Sequence, residues 1–345
     1  MKLKPLQKYF FFLIVTIVSC RETTTINRPD VANIGVDIHI ERFDKELASL
    51  KLKDISKMNK QWQQKYGAFY TNYVQDMLQI GHPQDSSRIK ESLAQILKQK
   101  DFIDLNKAVA KVYPALDKQE KELSKAFKYI KYYFPTYDIP RIISYVSGFA
   151  FQAPLGDNYV GVGLDMFLGA DSEFYPALVQ SIPLYISRRF TPENITPRVI
   201  ETILREELYP HPENTQNTLQ HMVYNGKILY AMDIMLENVS DDLKIGYTKA
   251  QIQWAQKYQS DIWTWFLQES LLYSTDMLRI QKYFTEAPFT PELGEKNESA
   301  PKLGSYMGWM MVRKFMDRNP SLSLTDLFGI DNAQEILEGS KYKGK

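Results

Sequence analysis

One cysteine in 345 residues, placed directly after an apolar run, constrains this chain more than any other feature. With a single thiol no intramolecular disulfide can form, and no cysteine cluster can hold zinc or an iron–sulfur centre. The fold must rest on a packed apolar core. The composition allows one: 44% of residues are hydrophobic and 24% charged, and the 22 Tyr and 18 Phe supply bulk for an aromatic-rich interior.

That cysteine is Cys20. Lys2, Lys4 and Lys8 precede a mostly apolar stretch from Tyr9 to Val18, with no acid before the cysteine. The stretch is shorter than the roughly 20 residues needed to span a bilayer, and has the proportions of a signal-peptide core. Ile17-Val18-Ser19-Cys20 resembles a bacterial lipobox. The expectation is a signal peptide over residues 1–19, lipid attachment at Cys20, a flexible polar tether over 20–33 and one globular domain over 34–345. Acyl chains would anchor the body to a membrane, each buried methylene contributing roughly 0.8 kcal/mol. The formal charge of +1 becomes −2 once the three lysines are removed. Such a charge argues against nucleic acid as a partner.

The pattern of the body predicts an α+β fold, mostly helical with a small β-sheet. Ile34 to Phe43 alternates Val36, Ile38 and Ile40 with Asp37, His39 and Glu41, the period of a half-buried strand with His39 at the surface. Lys51 to Ile80 reads as helical with scattered aromatics, and Lys90 to Tyr113 as helical with a break near Asp101. Asp117 to Phe134 places Leu123, Phe127, Ile130 and Phe134 on one face, with Asp117 and Glu120 as a helix start. Pro140 to Phe151 and Tyr159 to Leu168 are β-branched and aromatic, and predict two neighbouring antiparallel strands. Gly148, Gly161 and Gly163 predict bulges or close backbone approach there. Further helices are expected at Arg198 to Leu208, Thr218 to Leu236, Thr248 to Tyr273, Lys302 to Phe315 and Asp331 to Leu337. Thr248 and Gln251 have the spacing of a capping box.

The helix around His221 bears most directly on chemistry. A zinc-protease helix carries His-Glu-x-x-His, which sets two imidazoles on one face and a carboxylate beside the bound water. Here the window reads His221-Met222-Val223-Tyr224-Asn225. Met222 stands where the general base would be, and Asn225 where the second ligand would be. A thioether cannot take a proton from water, and a carboxamide is a poor zinc ligand beside imidazole. No metal, cofactor or catalytic residue is expected, and His221 reads as a helix histidine hydrogen-bonded to a neighbour. His211 could approach it only if the chain doubled back. Gly304 and Gly308, at i and i+4, read as a close helix contact.

Several segments in order carry a resemblance. They are Glu41-Arg42-Phe43-Asp44, Ile142 to Phe149, Val162 to Gly169, Pro183-Leu184-Tyr185-Ile186 with Arg189, His221 to Lys227, Ile245-Gly246-Tyr247-Thr248, and Ser340-Lys341-Tyr342-Lys343. The chain resembles the GldB gliding-motility lipoprotein family of gliding Gram-negative bacteria over nearly the whole mature length. The resemblance implies a part in surface gliding and the associated protein-secretion machinery, with other envelope proteins of that machinery as partners and the body in the periplasm. It also implies a zincin-like architecture in which Met222 and Asn225 mark a catalytic motif lost to a pseudoenzyme. The first expectation is therefore a lipid-anchored protein acting by protein–protein contact. Trp254, Trp263 and Trp265, or Tyr132-Tyr133-Phe134, are candidates for the contact surface. The alternative is a zincin-like metallohydrolase with an atypical metal site around His221, drawing on acids such as Asp233 or Glu269. A third option is a ligand-binding lipoprotein.

Overall fold

The computed structural model describes residues 26–213, 215–294 and 298–345. Cys20, the signal segment and the start of the tether lie outside the described residues. Strands β1 (Ile40–Arg42), β2 (Arg141–Tyr145), β3 (Leu155–Gly156) and β4 (Tyr159–Gly163) form one sheet in the order β1-β2-β4-β3. Between β1 and β2 run α1 (Phe43–Ala48), α2 (Ile55–Tyr66), α3 (Ala68–Asn72), α4 (Ser86–Ile96), α5 (Lys100–Val112) and α6 (Asp117–Tyr133). After the sheet come α7 (Leu184–Ser187), α8 (Ile195–Ile203), α9 (Thr218–Met235), α10 (Asp241–Ile245), α11 (Lys249–Lys257) and α12 (Gln259–Gln268). The series ends with α13 (Met277–Ile280), α14 (Leu303–Arg318), α15 (Leu324–Phe328) and α16 (Ala333–Ser340). The α+β class with a helical majority agrees with the sequence.

The pairing of the two central strands differs from expectation. β2 and β4 are neighbours, but they run parallel, with Ile142 opposite Val160 and Ser144 opposite Val162. The segment after β2 crosses back to the strand's starting end. On the way it lays β3 antiparallel beside β4, Leu155 opposite Val160. A parallel pair needs such a return, which a tight turn cannot provide. Gly163 is required because the crossover presses on β4: a Cβ there would sit 2.3 Å from the Phe151 carbonyl oxygen.

β1 is short because its open edge is covered by helix side chains. The Ile38 amide donates to Ser124 Oγ at 2.8 Å, and the Ile40 amide to Glu120 Oε1 at 2.8 Å. Glu120 is thus drawn to the strand edge, and α6 starts without a side-chain cap. Such cover protects an edge strand from pairing with another chain. His39 is exposed and lies 3.0 Å from Glu120, a surface histidine as expected.

The scattered aromatics of the first helices converge on Phe43. Its ring makes edge contacts with Trp62, Tyr66, Phe69, Tyr70 and Tyr73 at centroid separations of 4.9 to 6.1 Å. Pairs of this geometry contribute about 0.5–1.5 kcal/mol each beyond their burial. Glu46 gathers the polar rims, accepting from Trp62 Nε1 at 2.7 Å and Tyr66 Oη at 2.8 Å.

The second half is built around α9 and α14. Their backbones meet at Gly226 and Gly308; of the expected glycine pair only Gly308 lies in this helix contact, and Gly304 faces the Phe284 ring and the Tyr283 carbonyl. The expected helix over Thr248 to Tyr273 divides at Tyr258, whose ψ of 18° leaves the helical range. The Thr248 capping box is present. Asn217 and Gln220 form a second box at the start of α9 that the sequence reading passed over. Within the expected tether, residues 26–33 lie on the body. Val31 is buried, and the Arg28 guanidinium donates to the Asp233 carbonyl at 2.7 Å.

Candidate functional site

Helix α9 is apolar on nearly all sides and almost wholly buried. A helix of that kind sits inside the protein, and most polar side chains on it find a partner. Its few polar residues therefore report where the interior holds charge.

Asp233, fully buried, is the centre of one network. Its Oδ1 accepts from Lys244 Nζ at 2.8 Å and Arg313 Nη2 at 2.7 Å; its Oδ2 accepts from Trp309 Nε1 at 2.8 Å and Arg313 Nε at 2.7 Å. Arg313 grips Asp241 with two further bonds of 2.8 Å. Burial works against the charge on Arg313, but the contacts with Asp233 and Asp241 outweigh it and hold its pKa above the ordinary value. Two acids and two bases thus balance. They line a cavity of about 910 Å³ shared with Arg28, Tyr306 and Lys314.

One turn past His221, Asn225 leads to a second network. Its amide donates to the His221 carbonyl at 2.9 Å, and its Oδ1 accepts from Arg205 Nη2 at 3.1 Å. Arg205 Nε donates to Glu201 at 2.9 Å, and Arg198 to the other Glu201 oxygen at 3.0 Å. Burial opposes ionisation of Glu201, yet Arg198 and Arg205 overcome it and keep the carboxyl well below the usual range. Across a cavity of about 200 Å³ lie Glu286, Lys302 and Ser305. Arg189 Nη1 and Lys302 Nζ both reach Glu286 Oε1, at 2.5 and 2.6 Å. Lys302 also donates to the Ile245 carbonyl, and burial lowers its pKa to about 8. Its backbone is left-handed, with φ of 49°, which a side chain rarely adopts.

The positions singled out in the sequence fall as follows. His221 has a buried Nε2 without a hydrogen-bond partner, so the expected bond to a neighbour is absent at that atom. Its ring packs instead on Phe284 at 5.3 Å and on His211 at 5.4 Å. The chain does double back to bring His211 there. Burial, with His211 nearby, lowers the His221 pKa and favours the neutral ring. Met222 is fully buried against Gly308. Asn225 belongs to the arginine network. Among the described residues no group of three or more His, Cys, Asp or Glu could hold a metal ion.

The acids considered for a metal set are engaged elsewhere. Asp233 is twelve residues along α9 from His221, about 18 Å at 1.5 Å per residue, and Glu269 lies 3.4 Å from Arg279. The contact candidates divide. Trp263 is buried against Tyr342, and the Trp265 indole donates to Tyr283 Oη. Of the 132–134 cluster, Tyr132 is exposed.

Sequence reading missed Arg189, Glu201, Arg205, Glu286 and Lys302 as one group. A signal existed for part of it. Arg189, Asn225 and Gly246 each belong to a segment that carries the family resemblance, and the Arg189 guanidinium passes directly over Gly246. Glu286 had no signal at all.

A family model described as gliding motility protein GldB matches residues 24–344. No curated protein and no solved structure matches the chain.

Proposed function

The chain belongs to the GldB gliding motility family, and from that premise we propose that it is a lipid-anchored envelope protein that acts in gliding by contacting other proteins rather than by catalysis. The family match over almost the full length carries the reading. Two further observations support it. Around His221 lie the Asn225 amide, the Phe284 ring and the His211 imidazole, and Asp233 and Glu269 have cationic partners of their own. Among the described residues no helix is long and apolar enough to cross a membrane, in keeping with attachment through Cys20. Partners in the associated secretion machinery and a periplasmic position of the body belong to the same proposal.

The contact surface we favour is the segment 267–278. It exposes Leu267, Tyr273, Met277 and Leu278, the last 84% accessible. Large apolar side chains exposed within one short segment are candidates for an interaction site. The test replaces Met277 and Leu278 together by serine in the native host. Cell spreading and co-purification of envelope proteins should both fall, while the thermal unfolding of the purified protein stays unchanged. Normal spreading would refute this surface, and spreading that depends on His221 in a metal-dependent way would refute the non-catalytic reading.

A further inference from the structure

On the far side of the Arg189–Glu286 pair lies a separate cavity of about 170 Å³. Arg188, Arg189, Thr191, Asn194, Asp242, Gly246 and Thr248 contribute to its walls. Three charged side chains line it, Arg188, Arg189 and Asp242. Arg189 is paired with Glu286, and among the described residues Arg188 has no carboxylate at salt-bridge distance. Unpaired buried charge is costly in proteins and is retained where something compensates it.

Arg188 is the unpaired member of the wall. Its Nε donates to the Tyr185 carbonyl at 2.8 Å, but its Nη2 is buried with no partner. Burial and the neighbouring Arg189 depress its pKa. Arg189 is held beside it by Glu286 and by Gly246, since a Cβ on Gly246 would come within 2.1 Å of the guanidinium carbon. Two adjacent guanidinium groups offer planar forks of donors suited to a tetrahedral oxyanion. Thr191, Asn194 and Thr248 add hydroxyl and amide groups to the same walls. The volume is below the roughly 300 Å³ of a pocket for a drug-sized ligand. It fits a single ionic group rather than a whole large molecule.

We propose that this cleft binds a phosphate group through Arg188 and Arg189. A phosphate oxygen would give Arg188 the anionic partner it lacks. Asp242 is the one acid of the wall, and favours a phosphate that carries a proton on that side. The group can come from a soluble phosphate ester or from a lipid headgroup.

The test is thermal unfolding of the purified full-length protein in detergent, titrated with inorganic phosphate and with chloride, acetate and succinate at matched ionic strength. A saturable rise in Tm specific to phosphate is expected. Arg188→Gln should match or exceed the wild type in Tm without phosphate, because it removes an uncompensated charge, and should weaken the phosphate response at least tenfold. Arg188→Lys, which keeps the charge but loses the fork, should respond several-fold more weakly than the wild type and serves if the glutamine variant does not fold. No phosphate response, an equal response to succinate, or an undiminished response in both variants would overturn the proposal. Competition of phosphate by glycerol phosphate, compared with competition by phosphatidylglycerol micelles, assigns the source; competition by neither would also count against it.

Discussion

Gly308 and Met222 touch backbone to backbone: a Cβ on Gly308 would stand 1.8 Å from the Met222 carbonyl oxygen. Gly226 meets the same contact from the other helix, its added Cβ 2.3 Å from the Gly308 oxygen. No side-chain rotation can relieve a clash with backbone. Gly308→Ala must therefore push α9 and α14 apart, at a cost of about 3 kcal/mol, the upper end for overpacked cores. Chemical denaturation of the variant should show that loss. An unchanged midpoint would mean that the helices are free to separate.

Asp233→Asn leaves Lys244 and Arg313 with Asp241 as their remaining acid. Breaking a buried ion network from one side costs about 3–5 kcal/mol. Asp241 is one-third exposed, and Asp241→Asn should cost about 1 kcal/mol, as partly solvated pairs do. The two variants, compared by denaturant unfolding, should rank in that order.

Asp165 makes a contribution to stability that depends on pH. Burial pushes its carboxyl from the ordinary 3.8 up to about 6, against the opposing bonds from the Phe149 and Ser147 amides. The native state then holds this proton more tightly than the unfolded chain does. Its stabilising effect is complete below pH 3.8 and is lost as pH rises through 6. The stability of the wild type relative to Asp165→Asn should accordingly fall by about 2 kcal/mol between pH 4 and pH 7. Paired unfolding curves across that range measure it. A flat difference would show that the carboxyl is already ionised in the folded protein at pH 4.

Cys20→Ala should move the protein from the membrane fraction to the soluble fraction of lysed cells. The body should still fold, with the same thermal unfolding as the wild type. Retention of the variant in the membrane fraction would show that something other than acyl chains holds it there.

How far the sequence could be read depended on the range of the physical effect involved. Helices announce themselves within a turn or two. The apolar stripe of α6 and the Thr248 capping box were visible because their partners lie three or four residues away. The chemistry of position 221 was also local, since His221, Met222 and Asn225 are read in one glance along a helix. The parallel direction of β4 was not legible, because strand composition is the same in either pairing and the return path of residues 146–158 decides it. Nor was the convergence of Arg189 and Lys302 on one oxygen of Glu286, partners 97 and 16 residues apart. Residue type determined that α9 would be buried and that these charges would need company. Only the packing of α8, α10 and α14 around it decided which charges met, because ionic groups carry no local pattern and their neighbours are chosen by the apolar faces that bring the helices together.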